Sequence, residues 1–366
     1  MTKNIYLVSN TFKSFYLFRK EIIFSLSKKY NIILVANNDK YVNFFLEKKI
    51  NCVKLNNLFN NRSILSQIII ISKFLFMFFK KKPNLVQTYT LHPNLLVSPI
   101  AKIFSAKTVL MITGMGAISI SKYKFLKIAY NFLYKIISIF SDYFIYVNNH
   151  DRKYFTDKLN ISKPYIQIFG AGITKKKKFK KNFISQKYNL KETFNILFIG
   201  RLIEEKNFEI AIKIFKKLNI KNKRLIIVGD FDELSFSKKK NYSILRYPGI
   251  IWLKKIDDVS QILFYSDLLL FPSNTEGMPT VLMEAINYNL PTVTYSIPGS
   301  EDIIKQNMNG YIHKVGDILS LENSIIKIFK SKKNSFERNY YKLRTRFSRN
   351  NIVNKINIFY DELLKE

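Results

Sequence analysis

Cysteine is almost absent from this chain. The single Cys52 excludes an intramolecular disulfide and fits a reducing compartment. Histidine is nearly as scarce, and His92, His150 and His313 are too scattered for metal-ligand spacing. No apolar run is long enough to span a bilayer. Residues Ile64 to Phe79 come nearest but carry Ser66, Gln67, Ser72 and Lys73, and they fall short of the roughly 20 apolar residues a span needs. At the start, Met1-Thr2-Lys3 leads into Asn4-Ile5-Tyr6-Leu7-Val8, too short for the apolar core of a signal peptide, which predicts a cytoplasmic address. There is no repeat at solenoid spacing and no zinc-finger, homeodomain or RNA-recognition signature. Acidic residues are the last shortage: 26 Asp and Glu face 60 Lys and Arg, a formal net charge of +34. Such a field draws polyanions, and both nucleic acid and anionic membrane qualify. Part of the excess is compositional, since Lys, Asn, Ile and Phe are abundant together, as an AT-rich coding sequence produces.

What is present points to an α/β protein. At 366 residues the chain exceeds what one core usually supports, so two domains are expected. Short apolar runs alternate with longer amphipathic stretches, the pattern of parallel sheets covered by helices. Strands are predicted at Ile5 to Val8, Ile32 to Ala36, Leu85 to Thr88, Thr108 to Ile112 and Tyr143 to Val147. In the second half they fall at Ile196 to Ile199, Leu225 to Val228, Leu268 to Phe271 and Thr292 to Tyr295. Each half reads as its own doubly wound unit. The boundary is expected near the lysine-rich run from Lys175 to Lys181, which repels itself in a packed core, after the flexible turn Gly170-Ala171-Gly172. A final helix is predicted from Ile352 to Leu364.

Two segments carry the chemistry. Glu276 and Glu284 bracket Gly277-Met278-Pro279-Thr280-Val281-Leu282-Met283, where Pro279 fits the first position of a helix. The free amides of that helix start suit a diphosphate, and the two carboxylates suit the hydroxyls of a sugar and a ribose. Acidic residues beside a helix start are also ordinary partners of its dipole, so the pair alone decides little. The second segment follows the strand at Ile196 to Ile199: Gly200-Arg201-Leu202-Ile203-Glu204-Glu205-Lys206-Asn207. It leads into a helix whose apolar face is Phe208, Ala211, Ile212, Phe215 and Leu218, with Asn207 as the expected N-cap. Arg201 and Lys206 flank the carboxyl end of that strand, where open α/β sheets bind ligands. They offer a planar fork and a point charge to a diphosphate. Solvated loop residues in a lysine-rich protein are the plainer alternative.

Together these segments, about 70 residues apart, resemble the retaining glycosyltransferases of family GT4. The first half is similar to a subgroup acting on polyprenyl-diphosphate-linked sugars. The similarity lies in Val8-Ser9-Asn10, Phe15-Tyr16-Leu17-Phe18-Arg19-Lys20, Thr90-Leu91-His92-Pro93-Asn94-Leu95-Leu96 and Ile112-Thr113-Gly114-Met115-Gly116. The resemblance implies a GT-B fold, two Rossmann-like domains facing each other across a cleft. It assigns residues 1–172 to an acceptor and membrane-facing domain, 173–349 to a nucleotide-sugar domain, and a C-terminal helix at about 350–366 that packs back on the first. The implied reaction moves a sugar, an N-acetylhexosamine by subgroup similarity, from a UDP-sugar to a lipid-linked saccharide with retention of configuration. Gly200, Arg201, Lys206, Glu276, Gly277, Met278, Pro279, Thr280, Leu282 and Glu284 are implied to hold the donor, with Arg201, Lys206 and Glu276 catalytic. Arg19, His92, Gly114 and Gly116 fall on the acceptor side; the subgroup often has lysine where His92 stands. His150 and His313 read as surface residues. No metal and no cofactor is expected.

The membrane expectation rests on residues 121–141, which interleave Lys122, Lys124, Lys127 and Lys135 with Tyr123, Phe125, Tyr130, Phe132 and Tyr134. An interfacial helix needs that mixture, and it predicts a peripheral protein on the inner face of the cytoplasmic membrane. Residues 64–79 read equally as a core helix or a membrane contact. Two rivals stand. A basic nucleic-acid binder uses the charge and the aromatic residues but leaves the Glu276 to Glu284 segment unexplained. A metal-dependent Asp-x-Asp glycosyltransferase finds its spacing at Asp230-Phe231-Asp232, where a turn is also expected after Val228.

Overall fold

A computed structural model of the chain describes residues 2–61, 63–115, 124–174, 183–231, 242–256, 258–331 and 336–365. It divides into two compact units, Met1–Ala171 with Arg349–Glu366, and Gly172–Ser348. The division falls at the glycine turn itself, where Gly170 and Gly172 adopt positive φ of 57° and 68°. The lysine run at 175–181 lies outside the described residues.

The first unit is built on a seven-stranded parallel sheet in the order β3-β2-β1-β4-β5-β6-β7. Its strands are β1 Asn4–Thr11, β2 Asn31–Asn37, β3 Asn51–Leu55, β4 Leu85–Tyr89, β5 Lys107–Ile112, β6 Tyr143–Tyr146 and β7 Tyr165–Gln167. The inner strands are buried along most of their length, as in a parallel sheet covered by helices on both faces. One core cluster joins Tyr6, Val8, Ile33 and Val35 of the sheet to Ile70, Phe74 and Phe78 of the Ile64–Lys80 helix. A second joins Leu110, Ile112, Phe144 and Tyr146 to Tyr130, Tyr134 and Ile137 of the Lys124–Ile139 helix. Tyr130 and Tyr134, expected at headgroup depth, are therefore core residues: their rings pack on the sheet, and burial pushes both hydroxyls upward, Tyr134 to about 12. The opposite face of the same helix leaves Phe125, Ile128, Phe132 and Ile139 exposed. Lys122 lies outside the described residues.

The last helix, Arg349–Lys365, belongs to the first unit. It buries Ile352, Ile356, Phe359, Tyr360, Leu363 and Leu364. Polar latches fix its register: Arg349 to Glu21 at 2.8 Å, Asn357 to Ser25 at 2.7 Å, and Asp361 with Lys29 at 2.5 Å and Tyr30 at 2.6 Å. The Tyr360 hydroxyl bonds Gln87 within the core.

The second unit has a six-stranded parallel sheet, β10-β9-β8-β11-β12-β13. The strands are β8 Phe194–Ile199, β9 Lys223–Val228, β10 Ile250–Trp252, β11 Leu268–Phe271, β12 Thr292–Tyr295 and β13 Gly310–His313. In both units the chain lays strands to one side of the first strand and then returns to its other side. The topological switch points are thus between β1 and β4, and between β8 and β11. His313 ends the edge strand β13 and is half-buried, not a free surface residue. It shares a 2.8 Å hydrogen bond with Ser324, and burial lowers its pKa against the opposing pull of Asp317.

Candidate active site

The second switch point gathers the two segments singled out in the sequence. Where β8 and β9 end, Gly200 N–H donates to Val228 O at 3.0 Å and Leu202 N–H to Asp230 O at 2.9 Å. A Cβ on Gly229, whose φ is 143°, would lie 1.8 Å from Gly200 O, so only glycine allows these two strand ends to meet. Residues after Gly200 form a single turn at Glu204–Lys206, and Asn207 enters the Phe208–Lys217 helix in the left-handed conformation, φ 53° and ψ 39°.

Asn207 does not cap that helix with its side chain, as the sequence suggested. Its amide nitrogen instead donates to Pro272 O at 2.8 Å and Asn274 Oδ1 at 2.7 Å, in the loop after β11. Asn274 N–H in turn donates to Glu205 O at 2.9 Å, and the Ser273 hydroxyl to the same oxygen at 3.2 Å. These bonds make one block of the loops that follow β8 and β11. The block sets Lys206 Nζ against Glu276 Oε1 as an ion pair, with side chains 15% and 22% exposed. Partly screened from water, the pair is stronger than a surface one and still reachable by a ligand.

Glu276 stands in the loop before the Thr280–Asn287 helix. Pro279 is the N-cap of that helix, one position earlier than predicted: with ψ at 110° it is extended, while its carbonyl already accepts from Leu282 N–H at 3.2 Å. The helix has no acidic residue in its first turn, which leaves its positive end uncompensated. Leu282 is buried in the unit, which anchors the helix, and Glu284 is half-buried one turn in. Gly277 is met by the loop after β12, since a Cβ on Gly299 would lie 2.4 Å from Gly277 O. Met278 and Thr280 flank Pro279, both half-buried. Arg201 is exposed at the β8 end. A half-shielded ammonium, an exposed guanidinium and a bare helix start thus stand at the carboxyl ends of two adjacent strands. That geometry suits an oxyanion, with Glu276 available to accept from hydroxyls.

Of the residues expected on the acceptor side, three are described, all in the first unit, and Gly116 lies outside the described residues. His92 sits in the first turn of the Leu91–Ile103 helix, which starts two residues before Pro93. Its ring shares hydrogen bonds with Phe59 O at 3.1 Å and Gln67 Oε1 at 2.7 Å, so it fastens the loop after β3 instead of capping its own helix. Gly114 follows β5 with φ 124°. Arg19 is buried, its guanidinium stacked 4.1 Å above the Tyr89 ring at the end of β4. Asp230 is exposed and accepts the next amide, Phe231 N–H, at 2.9 Å, while Asp232 lies outside the described residues. Among the described residues no three His, Cys, Asp or Glu side chains converge.

Sequence reasoning missed Asn207, Ser273 and Asn274 as the latch between the two loops. A Ser-Asn pair just before Glu276 was the available signal.

Residues 180–352 match the family model of glycosyl transferases group 1. The capsular polysaccharide biosynthesis glycosyltransferase CapM of Staphylococcus aureus is 24% identical over 370 residues, covering 97% of this chain and 96% of that one. An Escherichia coli UDP-Gal:alpha-D-GlcNAc-diphosphoundecaprenol alpha-1,3-galactosyltransferase is 23% identical, over 91% of this chain and 87% of its own. Among solved structures, Anabaena HepE in complex with UDP and glucose superposes with a TM-score of 0.81 at 16% identity, covering 98% of this chain and 100% of that one. Both sheets and their order thus follow the GT-B fold.

Proposed function

We propose, from the premise that this chain is a glycosyltransferase whose residues 180–352 are a group 1 domain, that it transfers a sugar from a UDP-sugar to a polyprenyl-diphosphate-linked saccharide in surface polysaccharide assembly. The donor sugar proposed is an N-acetylhexosamine, and the anomeric configuration is retained. The observation that carries the reading is the block formed by Asn207, Asn274 and Glu205, which holds Lys206 and Glu276 together beside the Thr280–Asn287 helix start. The relatives whose names specify capsular polysaccharide synthesis and a diphosphoundecaprenol acceptor support the substrate classes.

In this reading the donor diphosphate lies against Lys206, Arg201 and the amides of that helix start, with Gly200 and Gly277 leaving room for its approach. Glu276 accepts from sugar hydroxyls and Glu284 from the ribose. As the anomeric C–O bond to the diphosphate breaks, positive charge develops on the ring and negative charge on the leaving group. Preorganised cations stabilise that charge most where water is excluded. The acceptor oxygen bonds to the anomeric carbon on the face the diphosphate leaves, and its proton passes to the departing phosphate oxygen. No side chain becomes covalently bound, and no metal takes part; unchanged activity in EDTA is expected, and its loss would restore the Asp-x-Asp alternative.

The first unit takes the lipid-linked acceptor. The exposed face of the Lys124–Ile139 helix, with Phe125, Ile128 and Phe132 beside Lys124, Lys127 and Lys135, lies on anionic lipid as a peripheral contact. No described helix is long and apolar enough to cross a membrane. The test is to incubate the protein with a panel of UDP-sugars and a polyprenyl-diphosphate sugar and to weigh the products. A mass increase of one hexosamine residue is expected, and no product with any donor would overturn the reading. A salt-dependent gel shift without saturable UDP binding would favour the nucleic-acid alternative.

A further inference from the structure

We infer that the first unit contains an anion site of its own, in which Arg19 holds a phosphate group of a phosphorylated saccharide. The inference rests on the reading that this unit takes a diphosphate-linked acceptor. Its origin is a buried cation with no matching anion among the described residues. Arg19 is 7% exposed, its Nη1 donates to Ser14 O at 3.0 Å, and its Nε has no hydrogen-bond partner among the described residues. No carboxylate pairs with it among the described residues, and Glu21, two positions on, is engaged by Arg349. A guanidinium does not lose its proton at ordinary pH, so it stays charged although burial lowers its pKa. Leaving a charge buried and uncompensated is costly, and proteins keep such groups where a ligand supplies the counter-charge.

The place of Arg19 in the fold agrees. Its backbone is fixed between two helices, with its N–H donating to Phe15 O and its carbonyl accepting from Ile23 N–H, both at 2.9 Å. The side chain stacks on Tyr89, the last residue of β4, beside the end of β1, where Val8 pairs with Thr88. That is the switch point of the first sheet, the position at which Lys206 and Arg201 stand in the second. Two more observations mark the same edge. Thr90, a β-branched residue, holds φ 71° and ψ 162°, a strained conformation kept only where the surroundings impose it. Asn10 Oδ1 and Thr90 Oγ1 are buried without hydrogen-bond partners among the described residues. The 13-residue Leu91–Ile103 helix starts here with no acidic residue in its first turn. A cation, an amide oxygen, a hydroxyl and a bare helix start together match an oxyanion carrying sugar hydroxyls.

The test separates Arg19 from the donor site. With the protein saturated by UDP, inorganic pyrophosphate and a short prenyl diphosphate are titrated by calorimetry into the wild type, Arg19→Lys and Arg19→Gln. Circular dichroism checks the fold of each. Wild type is expected to bind at least one of the two probes. Arg19→Gln should bind at least about tenfold more weakly and Arg19→Lys should fall between, while UDP affinity stays unchanged. Should Arg19→Gln fail to fold, the weakened binding of Arg19→Lys decides. Equal binding by wild type and the variants, or no binding by the UDP-saturated wild type, overturns the proposal. In transfer assays Arg19→Gln should raise KM for a diphosphate-linked sugar and leave KM for its neutral octyl glycoside unchanged; an equal rise for both counts against it. Wild type that transfers to neither acceptor refutes the proposed reaction, while the titration still decides whether Arg19 binds anions.

Discussion

Lys206 and Glu276 are adjacent because Asn207 spends its side chain on a partner 67 residues away, Asn274. On the proposed reading, activity depends on residues that touch no reacting atom. If Lys206 and Arg201 stabilise the leaving diphosphate as oxyanion donors do, removing either costs roughly 2.7 to 4 kcal/mol at the transition state. Lys206→Ala and Arg201→Ala should each lower kcat about 100-fold or more, with unchanged circular dichroism. Turnover near wild type in both would reject the assignment. Glu284→Ala should chiefly weaken UDP binding, measured by calorimetry. Asn207→Ala strips the donor from Pro272 O and Asn274 Oδ1, a loss of about 1 to 3 kcal/mol where such groups stay unpaired. Its Tm should drop along with kcat; a variant with normal turnover would show that the latch does not position Lys206. Lys206 and Glu276 were legible as candidates because residue type and order mark them, and the structure pairs them. The role of Asn207 was not, since its position before a helix fits an N-cap equally well and its true partners are remote in sequence.

At the scale of elements, every inner strand was readable and every edge strand was missed. β1, β2, β4, β5 and β6, and β8, β9, β11 and β12, are flanked on both sides and buried along most of their length. β3, β7, β10 and β13 lie at sheet edges and are only partly buried along their length. The link between β5 and β6 offers a pH test. Asp142 accepts from Thr108 N–H at 2.8 Å and pairs with Lys102 at 2.5 Å. Burial alone would raise its pKa, but the bonds to Lys102 and Thr108 outweigh that and hold it below the ordinary value. A depressed folded-state pKa contributes stability above the unfolded value, about 3.9, and loses it as pH falls through the folded one. Asp142→Asn should thus cost about 1 kcal/mol at neutral pH and narrow its gap to wild type in acid. A Tm difference that stays constant from pH 7 to pH 2 would contradict this. The Arg349–Lys365 helix is a structural requirement of the first unit, and truncation after Ser348 should leave its apolar partners bare and the protein insoluble.

For the whole molecule, the charge of +34 acts through where it is placed. The Lys124–Ile139 helix is half core and half surface: Tyr130, Tyr134 and Ile137 fix it to the sheet, and Phe125, Ile128 and Phe132 face outward near its lysines. Replacing Lys124, Lys127 and Lys135 with Gln should release the glycosyltransferase from anionic vesicles in sedimentation, at about 1 kcal/mol per lysine. Neutral vesicles should bind both forms alike. Sedimentation unchanged by the triple substitution would reject this face as the lipid contact. Such binding weakens with salt, since exposed charges are screened beyond about 10 Å at 0.1 M.

By itself the sequence determined the fold class, the inner strands of both sheets and the paired segments around Lys206 and Glu276. These depend on local composition and on short motifs, and neighbouring residues along the chain are enough to express them. Only the tertiary structure decided that Asn207 ties two loops together, that Tyr130 and Tyr134 face inward, and that Arg19 lies buried over Tyr89 with no acid beside it among the described residues. Each of those facts is a matter of which distant residues share a space, and burial and charge compensation are properties of that shared space, not of the order in which residues are joined.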